Sequence, residues 1–170
     1  MTGADAIKQI IEQWSRERPD LDPSGFEVVG RVLVLAEHLK RRVGDALAPL
    51  GLGLWGFDVL ATLRRQGEPF RLTPTELSQA TMLTSGAMTN RLDRLEKVGL
   101  VRRDRNPDDR RGVHVVLTEP GRELVDRAIT VRFDEATAAA AVLDDQERKK
   151  VAALLAKLLS NLEQDGAGAP

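Results

Sequence analysis

Apolar residues recur along this chain at the two spacings that mark helices and strands. Ile7, Ile10, Ile11 and Trp14 sit three and four apart, which predicts an amphipathic helix over residues 5–17. Arg18-Pro19-Asp20-Leu21 interrupts it, and Asp22-Pro23-Ser24 reads as an N-cap followed by proline at the first helical position. Val28, Val32, Leu35, Leu39, Val43 and Leu47 then carry a second helix to Ala48. So long an apolar stripe needs a cover in a small domain, and a second subunit is the simplest one.

Shorter elements follow. Pro49-Leu50-Gly51-Leu52-Gly53 is a turn, and residues 55–66 form a third helix with Val59, Leu60 and Leu63 inward, stopped by Gly67 and Pro69. Thr73-Pro74-Thr75-Glu76 is a capping box that opens a short helix to Ala80. After Thr81-Met82-Leu83, Thr84 or Ser85 caps a further helix to Val98, which Gly99 ends. Residues 100–105 and 112–118 read as strands, since Val113, Val115 and Leu117 alternate as a half-buried strand requires. Helices resume at Glu119-Pro120-Gly121, to Ala141, and at Asp144 or Asp145, to Glu163; a disordered tail is expected from Asp165. The expected fold is mainly α with a small β-hairpin, in one domain of 170 residues with no internal repeat.

A short capped helix, a tight turn, a second helix and a charged hairpin, in that order, make a winged helix–turn–helix over 55–118. On its second helix, Met88, Leu92 and Leu95 share the core face, whereas Ser85, Thr89, Asn90 and Asp93 lie opposite. Small polar residues there suit a helix that must approach base edges, and Asn90 can pair with adenine. A merely solvated polar face would look the same on an isolated helix.

The distribution of charge shifts the balance between these readings. The whole chain carries a formal net charge of −1, so nothing in the total points to nucleic acid. Residues 91–111, however, hold eight lysines and arginines against five acids. A local basic patch beside a helix–turn–helix is the footprint of DNA binding. Within it, Asp108-Asp109-Arg110-Arg111 sits at the hairpin tip, where arginine can enter a narrow minor groove. The plainer alternative is an exposed loop ion pair.

The segment TELSQATMLTSGAMTNRLDRLEKVGLVRRDRNPDDRRGVHVVLTEPGREL resembles the MarR family of transcriptional regulators, and the resemblance spans the chain. It implies helices over 5–48, serving as ligand lid and dimerisation segment, and dimerisation helices over 119–163. It also implies a homodimer on double-stranded DNA and a repressor's role. Asp109 would orient Arg111 toward the minor groove, with Arg110 meeting the backbone; Ser85, Thr89, Asn90 and Arg94 would complete the DNA-contacting set. The added first helix, DAIKQIIEQWSRERPDLDPSG, is similar to the urate-responsive branch. That likeness implies a planar anionic ligand, urate or a related purine, held by Trp14, Asp58, Arg91 and Arg103. A phenolic carboxylate is the alternative ligand. Read from the residues alone, Arg91 lies at the edge of the inward face of its helix and Asp58 in a largely apolar one. Each needs a charged partner, so an Arg91–Asp58 pair without any ligand also fits.

Other classes find less support. Gly51-Leu52-Gly53-Leu54-Trp55-Gly56 matches G-x-G-x-x-G, but a helix end precedes it and no βαβ pattern surrounds it. The only histidines are His38 and His114, the latter expected to face outward. There is no H-E-x-x-H and no G-x-S-x-G, and no cysteine for a disulfide, a thiolate metal site or a thiol nucleophile. An enzyme, a cofactor and a metal are therefore not expected. A dimer that binds protein rather than DNA would carry a neutral or apolar helix over 84–98, and the basic wing argues against it. No apolar run reaches the ~18–20 residues of a membrane span, and the N-terminus lacks a signal-peptide pattern, so a cytoplasmic protein is expected.

Overall fold

In a computed structural model, the backbone is described for residues 3–81, 85–105 and 112–167, and side chains for 6–81, 88–105 and 112–164. Two compact units divide the chain, Met1–Arg132 and Phe133–Pro170. The first holds α1 (Gly3–Glu17), α2 (Ser24–Leu47), a 3-10 turn (Ala48–Leu50), α3 (Leu54–Arg65), β1 (Arg71–Leu72), α4 (Pro74–Thr81), α5 (Ser85–Lys97), β2 (Val101–Arg105), β3 (Val113–Leu117) and most of α6 (Glu119–Ala140). The second holds the end of α6 and α7 (Asp145–Ala167).

Each boundary has a local cause. The backbone N–H and hydroxyl of Thr73 both donate to Glu76 Oε2 at 2.8 Å, and Glu76 N–H returns a 3.3 Å bond to Thr73 Oγ1. This is the reciprocal capping box that starts α4. α7 is capped by Asp144, whose Oδ1 accepts from Gln146 N–H and Glu147 N–H at 2.8 and 2.9 Å. Asp22 Oδ1 accepts from Ser24 N–H at 2.9 Å, the bond expected of a capping Asp two residues before, and α2 runs from Ser24, one residue later than proline at the first helical position would place it. α5 ends in a Schellman motif: Gly99, at φ 74, donates to Glu96 O, and Leu100 N–H donates to Leu95 O at 3.0 Å.

The sheet has three strands in the order β1-β3-β2, all antiparallel. The third, β1, escapes sequence periodicity because two residues carry none. It exists because β3 has a second edge, on which Arg71 and Leu72 pair with Val116 and Val115. The core beneath is built by Leu47 of α2, Leu60 and Leu63 of α3, Leu77 of α4, Met88 and Leu92 of α5, and Val115 of β3, all within 2% of complete burial. α6 closes over the hairpin at Gly121, where an added Cβ would lie 2.1 Å from the Leu100 carbonyl oxygen. α1 packs on α2 at Gly30, where a Cβ would meet Ile7 and Phe26.

Two apolar stripes stay exposed. On α2 they include Val28, Val29, Leu33 and Leu35; on α7, Val151, Leu154, Leu155, Leu158, Leu159 and Leu162. The expected disorder from Asp165 is corrected in part, because α7 runs on to Ala167; residues 168–170 lie outside the described ones. The i→i−4 ladder simply continues past Glu163, since no proline intervenes before the end of the helix. No single described helix is long and apolar enough to cross a membrane.

Candidate nucleic-acid and ligand interface

α4 and α5 form the helix pair, and the burial pattern of α5 sets its orientation. Met88, Leu92 and Leu95 are sunk into the core, which leaves Thr89, Asn90, Asp93 and Arg94 exposed on the remaining face. Ser85 opens α5, but its side chain, like the expected cap at Thr84, lies outside the described residues. Asp109, Arg110 and Arg111 do too. The strands that bracket them are in register from Val101–Leu117 to Arg105–Val113, so the loop leaves from a fixed root.

The basic residues of this lobe are not equivalent. Arg102 Nη1 donates to Asp104 Oδ1 at 3.0 Å. Arg103 is held more firmly: Nη2 donates to Asp93 Oδ1 at 2.6 Å, Nη1 donates to Glu96 Oε2, and its backbone N–H donates to Glu96 Oε1 at 3.0 Å. Burial works against its charge, but the two carboxylates more than compensate, and its pKa is raised. His114, expected outward, is corrected: its Nδ1 is buried and has no hydrogen-bond partner among the described residues.

Of the four expected ligand residues, the structure brings two together. Asp58 on α3 is accessible, yet the surrounding protein desolvates it enough to raise its pKa, against the pull of Arg132, Arg91 and Arg65. Arg91 is half-buried, and its guanidinium lies 5.9 Å from the centre of the Trp55 ring, within cation–π reach. No ion pair joins Arg91 to Asp58 among the described residues. Arg103 is engaged with α5, and Trp14 stands 57% exposed on α1. Sequence reading missed Arg132 and Trp55. Arg132 arrives from α6 and carries no local signal. Trp55 was legible in principle, one helical turn before Asp58.

The glycine motif at 51–56 has a different use from nucleotide binding. A 3-10 turn rather than a strand precedes it, and it edges a cavity of about 170 Å³ shared with Trp55, Arg94, Leu95 and Val98. Among the described residues no three His, Asp or Glu side chains gather as metal ligands.

A MarR family model matches residues 50–112 of this chain. The chain is 32% identical over 156 residues to the HTH-type transcriptional regulator PecS of Dickeya dadantii, covering 92% of this chain and 94% of that one. Among solved structures it resembles a mutant MarR from E. coli complexed with operator DNA, with TM-score 0.70, 28% identity, and coverage of 86% of this chain and 97% of that one. It also resembles a MarR family transcriptional regulator from Streptomyces coelicolor in complex with DNA, with TM-score 0.75, 25% identity, and coverage of 84% and 89%.

Proposed function

Because the chain belongs to the MarR family of transcriptional regulators, we propose that it binds a pseudo-palindromic operator as a homodimeric repressor and is released by a small planar anion. It acts as a regulator and not as an enzyme, like its relatives. Thr89 and Asn90 read base edges from α5, with Ser85 and Arg94 at its flanks. Arg111, oriented by Asp109, enters the minor groove, and Arg110 meets the phosphate backbone. The observation that carries this reading is the polar outer face of α5 set above three buried core residues, beside a basic hairpin. Arg111→Ala should weaken binding to every sequence and flatten its salt dependence. Asn90→Ala should change base preference, by about 1–3 kcal/mol per good pair lost. A wing that leaves DNA alone would show in an unchanged salt slope for Arg111→Ala, measured by fluorescence anisotropy.

The ligand is urate or a related purine, taken by Trp14, Asp58, Arg91 and Arg103. A planar anion wants an aromatic face and a guanidinium fork, and Arg91 over Trp55 supports such a site. The anion competes with Asp58 for the arginines and repels its carboxylate, which moves α3 against α5. Ligand and DNA then weaken each other by one factor. A phenolic carboxylate is the second reading, favoured by the engagement of Arg103 with α5, because it needs a single arginine. Urate, xanthine and salicylate titrated into the DNA complexes of wild type, Trp14→Ala and Arg91→Ala separate the two. Purine release lost in both variants is expected; release by salicylate alone, untouched by either substitution, would end the purine reading.

A further inference from the structure

We propose that Arg103 is a positioning residue for DNA binding, a tie that makes the recognition helix α5 and the wing dock as one rigid piece. The proposal rests on the DNA-binding reading above and adds to it how two separate contact elements hold a fixed spacing.

The position of Arg103 in β2 is itself unusual. Val101 and Arg103 share one face of the strand, and the cross-strand partners of that face, Leu117 and Val115, are buried. An apolar residue belongs there by strand alternation. Instead the side chain is an arginine, only 29% exposed, and it reaches α5. Asp93 and Glu96 are three residues apart on that helix, hence neighbours on its surface. The guanidinium fork spans both, one nitrogen to each carboxylate, while the backbone N–H of Arg103 takes the second oxygen of Glu96. Lysine, a point charge without a fork, cannot reproduce this.

Without the tie, α5 and the wing are joined on this side through the turn at Gly99, whose bonds end at Leu100. Strand β2 runs on beyond that point to Arg105, while the buried anchors of the hairpin, Val101 with Leu117 and Val115 across from β2, lie in its inner half, so without the tie the outer end of β2 would lose its side-chain hold on the helix. Asp93 also lies three residues from Asn90, close to the expected base-reading surface, where an unneutralised carboxylate would repel phosphate. A tie differs in outcome from a simple neutraliser of that carboxylate.

The test uses the full chain. Duplexes are first selected from a random pool with wild-type protein. Affinity against salt is then measured for Arg103→Met, Arg103→Lys and the triple variant Arg103→Met, Asp93→Asn, Glu96→Gln, with thermal melting of each free protein as the control for folding. A tie predicts about a tenfold loss of affinity for Arg103→Met, the scale of one lost charge-assisted pair, together with a shallower salt slope as wing contacts lapse. Arg103→Lys, which keeps the charge and not the fork, should stay weak while melting near wild type. The triple variant should remain weak although its acids are gone. Wild-type affinity and slope in Arg103→Met, or in Arg103→Lys, would overturn the tie. So would recovery in the triple variant, which would make Arg103 a neutraliser. If wild type enriches no duplex, the DNA-binding reading falls first and takes the tie with it.

Discussion

At Asp58 two forces act on one carboxyl. Desolvation by the surrounding protein disfavours its charge, three arginines favour it, and desolvation wins, so its pKa is raised. The stability it contributes is therefore present below the ordinary carboxylate range and lost as pH rises through the raised value. Asp58→Asn should melt slightly higher than wild type at neutral pH, by less than about 1 kcal/mol because the group is accessible, and the gain should vanish at acid pH. A pH series of thermal melts checks this; a lower melting point at pH 7 would mean the arginine contacts outweigh desolvation. Arg91 and Asp58 were legible as a pair in need of charge because each sits in an apolar pattern. Arg132 was not, because a residue on α6 meets α3 only after the chain has folded back.

Among the elements, α4 depends on its cap. Thr73→Ala should cost about 0.5–2 kcal/mol, the usual loss for an N-cap hydroxyl, read from denaturant unfolding. Glu76 accepts first from the backbone N–H of Thr73 and then from its hydroxyl, which holds its pKa below the usual value of 4.5. A depressed carboxylate stabilises the fold above that value and loses its contribution as pH falls through its folded pKa. Glu76→Gln should therefore flatten the acid limb of the stability curve below about pH 4.5. Gly121→Ala tests a different feature. Its Cβ would collide with backbone, which cannot swing aside, so a loss of about 3 kcal/mol or more is expected, at the upper end of overpacking costs. Helices and the wing strands could be read from periodicity and caps; β1 could not, since two residues gain a strand's identity from their partner alone.

For the molecule as a whole, the exposed leucines of α7 and the exposed valines of α2 each make an apolar stripe of the kind that marks an interface. A dimer at micromolar concentration is expected in sedimentation, and Leu155→Asp with Leu158→Asp should shift it to monomer and abolish operator binding together. A stable wild-type monomer would remove the basis for a two-fold operator.

Patterning in the chain determined the helix–turn–helix, its wing and the basic character of that lobe, because each rests on contacts within a few residues: caps, an apolar face, strand alternation, a run of arginines. Which charges meet was decided only in three dimensions. Arg103 faces Asp93 and Glu96, and Asp58 lies among arginines from α3, α5 and α6. The physical reason is that a charge's partner depends on how separate helices and strands stack, and Coulomb attraction, unlike helical periodicity, leaves no spacing in the sequence to be read.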